Sequence, residues 1–141
     1  MKKLICYILL TFLAASHVWA GVTNDVKVDV LVKSDSSWDG TILPHYGEGN
    51  PEITILKITV PPKAQLPPHI HPVINAGVLL KGELTVVTEK NETVHVKAGD
   101  ALVEVVNKVH YGKNEGDQPA EIIVFYAGTE GEPISIKTSK I

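Results

Sequence analysis

Apolar and polar residues alternate along most of the chain after its first twenty positions, and the alternation has a period of two. A period of two is the mark of a β-strand with one buried face. It predicts strands over Val26 to Val32, Ile53 to Val60, Gly77 to Thr88 with a bend at Gly82, Val94 to Val96, Ala101 to Val106, Val109 to Gly112 and Glu121 to Tyr126. Between them lie turn formers: Pro61-Pro62, the polar tip Glu89-Lys90-Asn91-Glu92, Ala98-Gly99-Asp100, Asn107-Lys108 and Glu115-Gly116-Asp117. Ile42 to Pro51 is rich in Pro, Gly and Asn and reads as a loop carrying His45 and Tyr46. After the first twenty residues no stretch has the 3.6-residue period of an amphipathic helix. Many short strands at this spacing predict an all-β sandwich or barrel.

One stretch breaks the ordinary strand pattern with chemistry. In Pro67-Pro68-His69-Ile70-His71-Pro72 two histidines stand two apart, so on an extended backbone both imidazoles project from one face. Such a pair can hold one metal ion, or it can be two solvated surface histidines. His110, on a later strand beyond the Asn107-Lys108 turn, is a third candidate. Three imidazoles converging in an apolar barrel would bind a divalent transition metal and leave coordination positions open.

Length and composition narrow the reading. The 141 residues suffice for one domain. Lys2-Lys3, the apolar run Leu4 to Ala15 and Val18-Trp19-Ala20 form the pattern of a cleaved secretory signal over residues 1–20, leaving one domain over 21–141. The alternative, an uncleaved anchor helix, needs about 18–20 apolar residues. The expected location is therefore secreted or periplasmic, with no stable membrane insertion after cleavage. The only cysteine, Cys6, leaves with the signal, which removes disulfides and thiolate metal sites from the mature chain. No arginine occurs anywhere, so no planar clamp for carboxylates or phosphates exists, and lysine is the remaining strong cation. The mature chain keeps all 16 acids and 13 − 2 = 11 lysines, a net charge of 11 − 16 = −5. An acidic chain without arginine excludes nucleic acid as a partner.

The spacing then identifies a family. His69, one residue, His71, three residues, Asn75, six residues and Gly82 form one segment; Gly99, five residues, Val105, one residue, Asn107, two residues, His110, three residues and Asn114 form another. Together they resemble the two motifs of the cupin superfamily, with Asn75 where the family has Glu, and Val105 and Asn107 where it usually has Pro and Gly. The resemblance implies a double-stranded β-helix, a jelly-roll-like barrel with a divalent metal inside (Fe, Mn, Ni or Zn) held by His69, His71 and His110. Asn75 falls at the position of the fourth ligand. An amide oxygen ligates more weakly than a carboxylate and brings no charge. Glu104, beside Val105, occupies a slot that is usually apolar and inward in cupins. A buried carboxylate is costly unless paired or ligated. A three-residue loop around Asn107 would put Glu104 opposite His110 and inward, as ligand or general base; a two-residue loop would turn it to water.

Among the remaining candidates, His95 reads as a surface histidine, Trp38 as a packing residue and Asn114 as a turn-bonding residue. The implied function is metal-dependent oxygenase-type chemistry on a small organic molecule, with a sugar isomerase possible on the same scaffold. The alternative is a non-catalytic periplasmic module that binds a metal or a small ligand. Small cupins also imply a homodimer.

Overall fold

The computed structural model describes residues 26–139. The expected signal over residues 1–20 lies outside them. The described chain contains no helix and nine strands: β1 (Pro51–Val60), β2 (His69–Ile70), β3 (Ile74–Lys81), β4 (Glu83–Thr88), β5 (Thr93–Lys97), β6 (Ala101–Val103), β7 (His110–Lys113), β8 (Ala120–Thr129) and β9 (Ile136–Lys137). They build a four-stranded sheet in the order β1-β8-β3-β6 and a five-stranded sheet in the order β5-β4-β7-β2-β9, with antiparallel pairing throughout. The two sheets face each other as the halves of a double-stranded β-helix.

Alternation decides what each strand buries. On β3, Asn75, Gly77 and Leu79 point inward while Ala76, Val78 and Leu80 point out. On β8, Ile122, Val124 and Tyr126 point inward, and the register sets Leu79 beside Ile122, Gly77 beside Val124 and Asn75 beside Tyr126. Leu102 of β6 extends the Gly77 rung. From the other sheet Leu84, Val86 and Val96 close the core, joined by Val60, Val73 and Ala120.

Two turn residues have left-handed backbones. Gly82 (φ 74°) makes the sharp step from β3 to β4, and an added Cβ there would stand 2.8 Å from the Pro119 carbonyl oxygen, so only glycine fits. Asn107 (φ 56°) takes the same region, which asparagine tolerates.

Three expectations are corrected. Val26 to Val32 is not a strand: it has no ladder partner, and Val26, Val28 and Val30 are 89%, 79% and 75% exposed. Asp29 to Val32 instead line a cleft of 670 Å³ against the outer face of the four-stranded sheet, together with Val78, Leu80, Ile123 and Phe125. Second, β6 and β7 are not a hairpin. β6 pairs with β3, and β7 pairs with β4 and β2, because the chain crosses from one sheet to the other at residues 104–109. Third, β9 has no counterpart in the expected strand set. It adds to β2 by pairing Ile136 with Ile70 and Lys137 with His69.

Candidate metal centre

β2 is two residues long because prolines flank it: Pro67 and Pro68 before, Pro72 after. Proline has no N–H to give to a ladder. Within that short strand His69 is the direct partner of His110 on β7, so both imidazoles project from one face of the sheet. His71 lies two residues further on, and its carbonyl oxygen accepts the Asn107 N–H at 2.9 Å. That bond ties the His-x-His segment to the turn that leads into His110.

The three rings form a triangle, with centroids 4.8 Å (His69–His71), 4.5 Å (His69–His110) and 5.0 Å (His71–His110) apart. One ring nitrogen of each lies within 4.8 Å of the other two. Each Nδ1 contacts a backbone carbonyl: His69 with Pro67 at 2.8 Å, His71 with Ile134 at 2.7 Å and His110 with Lys108 at 2.9 Å. A carbonyl only accepts, so each Nδ1 carries the proton and donates. Each Nε2 is thereby left with a bare lone pair, and ring orientation is fixed by the same bond. Burial lowers His71 and His110 to about 4, against the opposing pull of the carbonyl bonds. Both are therefore neutral at pH 7.

Glu104, Asn75 and Tyr126 approach from the opposite sheet. The Glu104 N–H donates to the Asn75 carbonyl at 3.1 Å, which continues the β6–β3 register by one step beyond Val103. Glu104 consequently shares the inward parity of Leu102, and it is 8% exposed. The strand parity, not the length of a loop at Asn107, turns it inward. Its Oε2 stands 3.7 Å from His110 Nε2. Burial pushes its carboxyl up to about 7, so between about pH 4 and 7 both groups are neutral and the contact is not an ion pair. Tyr126, its ring 5.3 Å from His71, is raised to about 12 by burial and by Glu104. Asn75 is 1% exposed and its Nδ2 donates to the Val73 carbonyl at 3.2 Å.

Three buried polar atoms here have no partner: Asn75 Oδ1, Glu104 Oε2 and His110 Nε2. Unpaired buried acceptors are costly, and natural folds avoid them unless something binds there. All three offer a lone pair to a cation. Two bonds of about 2.1 Å at a tetrahedral angle set ligand atoms about 3.4 Å apart. The Glu104–His110 distance is close to that, and the residues fit a divalent ion.

A cavity of 50 Å³ lies between these groups, lined by His69, His71, His110, Glu104, Tyr126 and apolar neighbours. A second space of 210 Å³ opens outward from His69, His71 and Tyr126 between Leu56, Ile58, Leu66 and the C-terminal residues Ile134, Ser135 and Lys137.

The other candidates lie elsewhere. His45 and Tyr46 are exposed and flank a separate 120 Å³ hollow with Pro72 and Asn107. His95 is exposed and bonded to Thr85 at 2.9 Å. Asn114 is buried; it donates to the Val60 and Gln118 carbonyls and accepts from the Gly116 N–H, a structural role. Trp38 packs on the core, and its backbone N–H donates to the Val103 carbonyl at 2.9 Å. Sequence reasoning missed Tyr126, because Ile122 to Tyr126 is apolar at both parities and does not mark an inward face. It also missed the Ile134 carbonyl and Lys137, for which the short Ile134-Ser135-Ile136-Lys137 alternation was the only signal.

Barrel and centre together define a small β-barrel protein with three histidines placed for a metal. A family model for the cupin domain matches residues 56–126, just over half of the chain, and the chain belongs to that family. No curated protein matches the sequence. Among solved structures, an uncharacterized double-stranded β-helix protein from Klebsiella pneumoniae is similar at 19% identity and TM-score 0.54, covering 79% of this chain and 100% of its own. The DMSP lyase of Ruegeria pomeroyi is similar at 21% identity and TM-score 0.54, covering 61% of this chain and 43% of the lyase. The Lactobacillus farciminis oxalate decarboxylase gives 21% identity and TM-score 0.53 over 60% of this chain, and the match spans only 26% of the decarboxylase. These likenesses show the fold.

Proposed function

We propose that this chain holds one divalent transition metal (Fe, Mn, Ni or Zn) through the Nε2 atoms of His69, His71 and His110, with Glu104 as the fourth protein ligand, and acts on a small organic molecule by oxygenase-type chemistry. One observation carries the reading: three Nδ1–H groups are each pinned to a carbonyl, and three bare Nε2 lone pairs face one space. A bound divalent ion would supply Lewis acidity and, if redox-active, one-electron chemistry. The residues supply the rest. Glu104 would bring to the ion the carboxylate charge that Asn75 lacks, giving up its proton as the ion binds at Oε2. The apolar walls limit water, and the 210 Å³ vestibule admits a small molecule beside His69 and His71. Asn75, with its unpartnered Oδ1 in the same rung as Glu104, adds a neutral oxygen to this side of the centre.

A second reading, a non-catalytic binding module, draws support from the same Asn75, whose amide brings no charge where the family has a carboxylate. Export to the periplasm or beyond remains part of the proposal, on the basic start and apolar run of residues 1–20.

Metal analysis of unstripped protein from its native host tests the centre. The expected result is close to one metal per wild-type chain, and loss of more than about hundredfold in affinity for His110→Ala, beyond the scale for groups that only support a ligand. Full metal retention by His110→Ala would overturn the assignment. Iron or manganese that cycles between oxidation states favours the enzyme; a redox-silent ion favours the binding module.

A further inference from the structure

The five-stranded sheet carries one rung that crosses the metal centre. Thr88 of β4 is the partner of His110, His110 is the partner of His69, and His69 is the partner of Lys137 on β9. Directly opposed residues in antiparallel strands project from the same face, with Cβ atoms about 5 Å apart. Lys137 therefore stands on the inner face, one strand away from a metal-ligating histidine. It lines the 210 Å³ vestibule together with His69, His71 and Tyr126. Its side chain makes no ion pair among the described residues.

An ammonium next to a divalent ion is repelled by it, and among the described residues no carboxylate is paired with Lys137 to offset that repulsion. Lys137 is exposed, so water screens part of that repulsion, and an anion lying between the two charges would turn it into attraction. The remaining vestibule wall is apolar apart from Ser135: Leu56, Ile58, Leu66, Pro67 and Ile134. Its volume falls below the ~300–1,000 Å³ of sites for drug-sized ligands, so the occupant is a single ring or a short branched chain. The chain has no arginine, and a lysine holds an anion as a point charge, not as a bidentate fork.

Resting on the metal reading above, we propose that the vestibule is the substrate subsite, that its substrates are small carboxylates with an apolar body, and that Lys137 holds the carboxylate. β9 thus has two tasks at the mouth. Its approach residue Ile134 orients His71 through its carbonyl, and Lys137 selects charge.

The test uses the mature chain loaded with Zn(II), its metal content measured first, and calorimetric titration with benzoate and with benzyl alcohol, the neutral probe. Benzoate should bind about tenfold or more tightly than benzyl alcohol, the scale of a charge-assisted hydrogen bond. Lys137→Gln should weaken benzoate about tenfold while leaving benzyl alcohol affinity unchanged and Zn(II) affinity unchanged or tighter, since a positive charge near the ion is removed, and Lys137→Arg should retain most of the benzoate affinity. Benzoate affinity within about twofold of wild type in Lys137→Gln would overturn the proposal, leaving the lysine as a guard of an edge strand. No benzoate binding, or no preference over benzyl alcohol, would overturn it too. If the chain takes up no Zn(II), the metal reading fails separately. The same titrations on the metal-free chain then decide the subsite: loss of benzoate binding in Lys137→Gln supports it, and an unchanged affinity overturns it.

Discussion

Adjacent levels of one barrel are built on opposite principles. At the mouth, Tyr126, Asn75 and Glu104 from one sheet face His110, His69 and Lys137 from the other. One rung deeper the residues are Val124, Gly77 and Leu102 against Val86 and Gly112, and below them Leu79 and Ile122. The deeper rungs have nothing to satisfy but contact. The mouth rung leaves three buried polar atoms without partners. Apolar packing at the deeper levels supplies the stability that lets the mouth hold groups that would be unfavourable on their own. If that division is real, each level can be damaged without the other.

The largest effect is expected in the deeper level. Leu79 is 1% exposed and among the largest fully buried side chains. Leu79→Ala should cost about 2–5 kcal/mol, the transfer of the lost atoms plus the cavity left behind. Denaturant unfolding at constant slope measures it. Metal affinity of the folded variant should stay at the wild-type value. Parallel loss of stability and metal binding would show that the levels are one mechanical unit.

At the mouth the effect should invert. Glu104→Gln keeps the shape and removes the acid, so metal binding should weaken ~10–100-fold, at least the scale of groups that support a ligand. The metal-free chain should melt no lower than wild type, because an uncompensated buried carboxyl has been replaced by a neutral amide. A lower melting temperature with unchanged metal affinity would make Glu104 a structural residue.

The level division was partly legible in the sequence. Alternation marked β1, β3 and β8 as strands but not which face of each is buried: on β3 the apolar set Ile74, Ala76, Val78 and Leu80 lies on the outer face, on β1 Ile53 and Ile55 are exposed, and β8 is apolar at both parities. The spacing between His69 and His71 placed both rings on one side, and the turn at Asn107 brought His110 back to them. Alternation cannot say whether a partner strand exists. Val26 to Val32 alternates as well as β1 does, yet no free ladder receives it. Nor does chain order give pairing: residues 104–109 look like a hairpin turn but carry the chain between sheets. The inward direction of Glu104 thus follows from Leu102 two residues earlier, in register with Gly77. β9, only two residues long, is recognisable once β2 offers an edge to it.

The smallest effect should come from a group outside both levels that holds the mouth from behind. The Lys108 ammonium grips the Asp39 carboxylate and the Thr41 hydroxyl, while the Lys108 carbonyl accepts the Nδ1 proton of His110. One residue thus links the segment before β1 to a ring of the histidine cluster. The Asp39 side chain is 1% exposed and that of Lys108 is 31% exposed. Burial raises the Asp39 pKa, but hydrogen bonds from Lys108 and Thr41 outweigh it, and the carboxyl ends below its ordinary value. Asp39→Asn should therefore cost about 1–2 kcal/mol at pH 7, discounted from a fully buried charged bond because Lys108 reaches water. A folded-state pKa below the unfolded one gives stability that is complete above the ordinary carboxylate range and is lost as pH falls through the folded value. The stability curves of wild type and Asp39→Asn should accordingly run parallel near neutrality and converge below about pH 4. Metal affinity should drop by less than about tenfold, since Asp39 acts on His110 through the Lys108 backbone and not by a bond to the ring. Curves that stay parallel into acid would mean that the Asp39 charge contributes nothing to the fold. A loss of metal affinity as large as that of Glu104→Gln would mean that the mouth depends on its outer support as much as on its own carboxylate.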